Sequence, residues 1–266
     1  MSDLLIDHDG GVTRLTLNRP PLNLMTLELL QALVAALEAA KEREETRCIL
    51  IGAAGTRAFC AGADLKTPDE ANPSSAKISR EVGMRMIELI EEHPKPVISA
   101  VRGWCIGGGT AIAWPCDIRL AAQSARFRAG DVYLGLAPSW GLGNARLVHY
   151  IGRNRTLDVS LLGDDITAQE AYDWGLVTRV FPDDTFDAEV SRLAHKLAGA
   201  APLPVKAIKE TVRAQYRETP DRAMLLAERY HGVIHGSEDA KEGIRAMMEK
   251  RKPVFKGRRW TSRPCR

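Results

Sequence analysis

Ala58-Phe59-Cys60-Ala61-Gly62-Ala63-Asp64-Leu65-Lys66 and, about 45 residues later, Gly103-Trp104-Cys105-Ile106-Gly107-Gly108-Gly109-Thr110-Ala111 are the two stretches on which the reading of this chain turns. Each follows a short apolar run that closes in glycine: Cys48 to Ile51 before Gly52, and Val97 to Val101 before Gly103. Such runs, bounded by turn signals, are typical of buried strands. Both stretches therefore sit at strand-to-helix junctions. Three consecutive glycines leave the main chain bare, so a ligand carbonyl can come close to a peptide N–H. A helix starting there adds unpaired N–H groups and a partial positive charge. Two such N–H groups converging on one point would make an oxyanion hole, where loss of one donor typically costs about 2.7–4 kcal/mol of transition-state stabilisation. The other reading of Gly107–Gly109 is tight helix–strand packing, and the triplet alone leaves the two level.

Working outward, the same alternation continues. Leu4 to Ile6 and Val12 to Leu17 read as a hairpin around Gly10-Gly11. After the break at Asn18-Arg19-Pro20-Pro21, Thr26 can N-cap a helix to about Arg43, with Leu29, Leu30, Leu33, Val34 and Leu37 on one face. A second helix spans about Ser75 to His93 and stops at Pro94-Lys95-Pro96. Asp117 to Ala121 returns to strand, Thr167 to Glu170 is a capping-box pattern, and Val177 to Phe181 is the last strand-like run. From about Asp183 the pattern is helical only: Asp183 to Ala198, Pro202 to Tyr216, Pro220 to His235, and Glu238 to Lys250 after Ser237. This predicts an α/β layer fold of repeated β-β-α-like units followed by a helical region. We divide the chain into a core at 1–195, a helical region at 196–257, and a basic tail at 258–266 expected to be disordered.

Composition narrows the function classes without choosing among them. The 266 residues are 45% hydrophobic and 27% charged, with a net charge of +3, which is globular and too mild for a nucleic-acid footprint. The five cysteines form no C-x-x-C pair and suit reduced thiols in a cytoplasm. No early stretch reads as a signal peptide, and no apolar stretch reaches the length of a membrane span. We therefore expect a cytoplasmic protein that binds neither nucleic acid nor membrane. His231 and His235 have zinc-pair spacing but lack a third ligand, so no metal is expected. Phosphate-loop, dinucleotide and nucleophile-elbow motifs are all absent.

Taken in order, the motifs resemble the crotonase family, the enoyl-CoA hydratase/isomerase superfamily. The resemblance runs from Asn18-Arg19-Pro20 through Ala58–Lys66, Gly103–Ala111 and Cys116-Asp117-Ile118-Arg119. It continues through Gly135–Gly141, Gly152, Ala171 and Trp174–Val177 to Glu249–Gly257, nearly the whole chain. It implies a crotonase-like spiral of β-β-α units, with a C-terminal helical trimerisation region that builds homotrimers, often paired into homohexamers. It also implies an acyl-CoA thioester substrate, with coenzyme A part of that substrate and no other cofactor. The family's two oxyanion-hole donors fall on Ala63 and Gly108. Ala61, Gly62, Asp64, Leu65, Lys66 and Gly107 would line the CoA and substrate, Lys66 near the phosphates. Phe255 and Lys256 match a C-terminal segment that reaches a CoA in some members.

The acid–base positions depart from the family's pattern. Hydratases of the family carry two glutamates, and these positions are Ala111 and Asp131 here. Alanine has no proton to give, so Asp131 is left as the catalytic candidate, with an ion pair to Arg126 or Arg128 as the alternative. A third position, sometimes an aspartate, is Ser139, which could position water or cap a helix. Asp64 reads better as a loop anchor than as an acid, and Cys60 and Cys105 lack a histidine base. The resemblance implies enoyl-CoA hydration first, and next isomerisation, C–C hydrolysis or decarboxylation through the same enolate. A silent acyl-CoA-binding protein is the rival of another class.

Overall fold

The computed structural model describes residues 2–65, 73–137 and 144–257. In chain order the first elements are β1 (Leu4–Asp9), β2 (Val12–Leu17), α1 (Leu27–Glu42), β3 (Cys48–Ala53), β4 (Ala58–Cys60) and α2 (Pro73–Glu92). Next come β5 (Val97–Val101), β6 (Trp104–Ile106), α3 (Gly108–Ala113), β7 (Ile118–Ala122) and β8 (Arg126–Arg128). They are followed by α4 (Asn144–Leu162), β9 (Ile166–Thr167), α5 (Ala168–Asp173), β10 (Arg179–Phe181) and α6 (Phe186–Ala198). All of these belong to one compact unit, Met1–Ala198.

The strands form two sheets. The first runs β1-β2-β3-β5-β7-β10 and the second β4-β6-β8-β9. Only the β1–β2 hairpin is antiparallel in the first, with Leu4 opposite Leu17, and Gly10-Gly11 turn it with φ of 53° and 85°. From β2 onward that sheet is parallel. Each of the pairs β3–β4, β5–β6 and β7–β8 leaves one strand in each sheet before the next helical segment. That repetition is the spiral of β-β-α units expected from the motif order.

Side-chain alternation explains how the first sheet is covered on both faces. Ile49 and Ile51 of β3, with Val97 and Val101 of β5, join the larger core with Leu29, Leu33 and Leu37 of α1 and Met86 and Ile90 of α2. Cys48, Leu50 and Ile98 point the other way and meet Phe186, Val190, Ala194 and Ala198 of α6. Thr26 caps α1 by accepting from the Leu29 N–H. Lys95 reaches the other end of that helix and donates to the carbonyls of Ala40, Lys41 and Arg43.

The second unit is Gly199–Arg266, of which residues through 257 are described. It holds α7 (Pro202–Arg217), α8 (Pro220–His235) and α9 (Glu238–Met248). The division falls at the end of α6, because Ala198 still packs on the sheet. Ser237 caps α9, and the segment after it is tied back: Arg251 forks onto Glu242 at 2.6 and 2.9 Å. Asp239 accepts from the Lys256 and Gly257 N–H groups.

Two features differ from the sequence reading. The second sheet was not expected, since its strands are two or three residues long. The α4 helix was not expected either, and it is interrupted at Gly152 with φ 74° and ψ 169°.

Candidate active site

The Ala61–Leu65 segment leaves β4 and is held by the loop before α1. Ala61 N–H donates to the Leu22 carbonyl at 3.0 Å, Met25 N–H to Gly62 at 2.9 Å, and Asp64 N–H to Met25 at 2.9 Å. Met25 and Ala63 thus form an isolated parallel bridge. Both bridge bonds are made by Ala63's neighbours. Its own N–H donates to no acceptor among the described residues. Gly62 has φ of 100°, a conformation that a side chain would disfavour.

The glycine triplet faces this segment. Gly107 adopts φ 50° and ψ −113°, and its carbonyl accepts from the Thr110 N–H at 3.0 Å and the Thr110 hydroxyl at 2.6 Å. Gly108 is the first residue of α3, so its N–H has no intrahelical partner, and none is found elsewhere among the described residues. A methyl group on Gly108 would lie 3.8 Å from the Ala63 nitrogen, and one on Gly62 would lie 3.9 Å from the Gly108 nitrogen. The two free N–H groups are therefore on adjoining peptides. Met25 closes the floor: its Cε would be 2.1 Å from that Gly108 methyl, and it is buried.

Asp131 follows β8 and opens a short 3-10 turn, Asp131–Leu134. Its Oδ1 lies 3.9 Å from the point where a Gly107 side chain would begin, so the carboxylate faces the triplet. Neither arginine of the alternative reading pairs with it. Arg128 pairs with Asp165 at 2.5 Å, and Arg126 donates to the Gln123 and Ala125 carbonyls. Among the described residues the Asp131 carboxylate has no hydrogen-bond or ion-pair partner. The turn is seated by close contact of Gly130 with Gly163, over which the Tyr133 ring packs. On α3, Ala111 is 2% exposed and brings no ionisable group.

The remaining candidates sort by chemistry. Asp64 pairs with Arg19 at 3.4 Å, as expected of a loop anchor. Leu65 is exposed at the end of the segment. Burial pushes the Cys60 thiol up to about 12 and Cys105 well above the ordinary range, so neither supplies a thiolate near neutral pH. Among the described residues no group of three His, Cys, Asp or Glu is placed to hold a metal ion. Phe255 lies against Gly243 in the second unit, and Lys256 is exposed there. Lys66 and Ser139 lie outside the described residues. Sequence reasoning missed Met25, Arg19 and Asn23 as parts of the site's frame. Arg19 stood in a quoted motif, but nothing along the chain pairs it with a residue 45 positions away.

Comparison with known proteins gives one consistent result. The family described as enoyl-CoA hydratase/isomerase matches residues 7–258. The chain is 37% identical over 261 residues to a 2,3-dehydroadipyl-CoA hydratase of Escherichia coli, covering 97% of this chain and 100% of that one. It is 33% identical over 267 residues to a 1,2-epoxyphenylacetyl-CoA isomerase of the same organism, again covering 97% and 100%. Among solved structures, an enoyl-CoA hydratase from Bacillus anthracis superposes with a TM-score of 0.91 at 31% identity, covering 96% of this chain and 100% of that one.

Proposed function

Because the chain belongs to the enoyl-CoA hydratase/isomerase family, we propose that its site carries enolate chemistry on an enoyl-CoA thioester, with hydration of a 2-enoyl-CoA as the first reading. The observation that carries it is an Asp131 carboxylate with no partner among the described residues, facing a glycine triplet in which a Gly108 Cβ would lie 3.8 Å from the Ala63 nitrogen, both N–H groups being without an acceptor among those residues. The thioester oxygen accepts from both N–H groups, which stabilise negative charge as it develops. Asp131 takes a proton from water while the water oxygen bonds to C3. The double-bond electrons move to the enolate, and Asp131 then returns its proton to C2. Water is added across the bond with one carboxylate used twice. Ala61, Gly62, Asp64, Leu65 and Gly107 line the thioester side, and the reading needs no metal or redox cofactor.

Ala111 favours a second reading, migration of the double bond in a 3-enoyl-CoA. There Asp131 removes a proton from C2 and returns it to C4, so no second carboxylate is needed. The test presents crotonyl-CoA and a 3-enoyl-CoA separately to wild type, Asp131→Ala and Gly108→Pro. Proline suits the first helical position and removes the N–H, but its Cβ displaces the Met25 Cε, so this variant is read only where a thermal melt shows it folded. Loss of Asp131 should lower turnover about 10²–10⁴-fold, and loss of the Gly108 N–H about 10²–10³-fold. Turnover unchanged in Asp131→Ala overturns its role. Thermal stabilisation by CoA thioesters with no turnover identifies a silent binding protein instead.

The same reading has the chain assemble as a homotrimer or homohexamer in the cytoplasm. Support comes from exposed apolar rows on the second unit: Ile208, Val212 and Tyr216 on α7, Met224 and Leu225 on α8, and Ile244, Met247 and Met248 on α9. The match of Phe255 and Lys256 to a C-terminal segment that reaches a CoA in some family members supports a role for them in holding a CoA.

A further inference from the structure

Arg19 is not in the hydrophobic core, yet it holds both sides of the Ala63 bridge. Its Nη1 donates to the Leu24 carbonyl at 2.6 Å, its Nη2 pairs with Asp64 at 3.4 Å, and its Nε pairs with Asp3 at 3.2 Å. Leu24 precedes Met25, one partner in the bridge, and Asp64 follows Ala63, the other. The guanidinium therefore clamps the two strands of the bridge together from one side. Asn23 completes the frame. It is fully buried with φ 48°, accepts from the Arg19 N–H at 2.8 Å, and donates to the carbonyls of Ala54 and Ala58 at 3.0 and 2.8 Å. Because Met25 makes both bridge bonds to the residues on either side of Ala63, the Ala63 N–H is left pointing away from the 19–25 loop, and a Gly108 Cβ would lie 3.8 Å from the Ala63 nitrogen.

We infer that Arg19 is a positioning residue for the Ala63 N–H, acting through Asp64 and the Leu24 carbonyl to fix the orientation of that peptide. The inference rests on the reading of Ala63 as a donor to the thioester oxygen. Donors of this kind work only when pre-set to within a few tenths of an ångström of the developing charge, since reorientation during reaction forfeits their advantage. A rigid fork on three acceptors supplies that setting, whereas lysine, a single flexible point charge, cannot hold all three.

The experiment compares wild type, Arg19→Met, Arg19→Lys and Gly108→Pro. It uses a bound arylacryloyl-CoA carrying an electron-donating para-dimethylamino group, whose absorption moves to the red as its thioester carbonyl is polarised. Steady-state kinetics are measured on the same proteins well below their Tm. Arg19→Met should bind the chromophore but lose much of the red shift, with kcat down about 10–100-fold and KM little changed. Arg19→Lys should fall between it and wild type. A full red shift and unchanged kcat in folded Arg19→Met overturns the inference, as does a loss confined to Tm. If Arg19→Met does not fold, an unaltered shift in Arg19→Lys overturns it equally. If Gly108→Pro also leaves the shift intact, the donor reading itself fails, which separates the two claims.

Discussion

Gly109 has no room for a methyl group: a Cβ there would sit 2.2 Å from the Cys60 carbonyl oxygen and 3.0 Å from the Cys60 carbonyl carbon. Backbone, not a flexible tip, is in the way, so β4 and α3 would have to separate. Gly109→Ala should destabilise by about 1–3 kcal/mol, and it should lower activity by parting the Ala63 and Gly108 peptides. Gly52→Ala, with nothing within 4 Å of the added carbon, should leave Tm nearly unchanged. Thermal melts of the two variants check the contrast. Cys60 gives a prediction in pH. Burial raises its thiol from 9.0 to about 12, so the folded state holds that proton more tightly than the unfolded state. The stabilisation is complete below pH 9 and lost as pH rises from 9 towards 12. Tm measured from pH 8 to 10.5 should fall, and less steeply in Cys60→Ala. The two glycine-rich junctions were legible in the sequence, and within them it is the family resemblance that singles out Ala63 and Gly108. The approach of Asp131 to Gly107, the floor supplied by Met25 and the Arg19 fork were not, since each joins residues distant along the chain.

At the scale of elements, legibility followed length and capping. The α1 helix starts where Thr26 said it would, and β2 and β5 occupy the expected residues, because their apolar periodicity is long enough to count. β4, β6 and β8 have three residues each, too few for a period, and their pairing is entirely tertiary. The α4 helix is hidden in the sequence for a different reason: Gly152 leaves the helical region in its middle, dividing its pattern into two short pieces. The Thr167 capping box is present in full, with Thr167 accepting from the Glu170 N–H and Glu170 accepting from the Thr167 N–H at 2.8 Å. Those bonds from Thr167 hold the Glu170 carboxyl below its usual range. Thr167→Ala should cost about 0.5–2 kcal/mol of stability. A denaturant titration with unchanged slope and a lower midpoint would show it.

For the whole molecule, the 1–198 unit carries the candidate site and the second unit carries the exposed apolar rows on α7, α8 and α9. Light scattering should give three or six times the 29.2 kDa chain mass, and a monomer at micromolar concentration would contradict the proposed assembly. The two proposed reactions, hydration and double-bond migration, differ in product but would share one event, transfer of a proton between Asp131 and the carbon next to a thioester held by Ala63 and Gly108. That event is most directly read by deuterium incorporation at C2 when wild type and Asp131→Ala turn over crotonyl-CoA in D2O, and by deuterium loss from C2 when they turn over a 3-enoyl-CoA deuterated at C2 in H2O. Incorporation or loss by wild type that falls at least about 10²-fold in Asp131→Ala is the expected result. Incorporation or loss at an undiminished rate without the Asp131 carboxylate would contradict it.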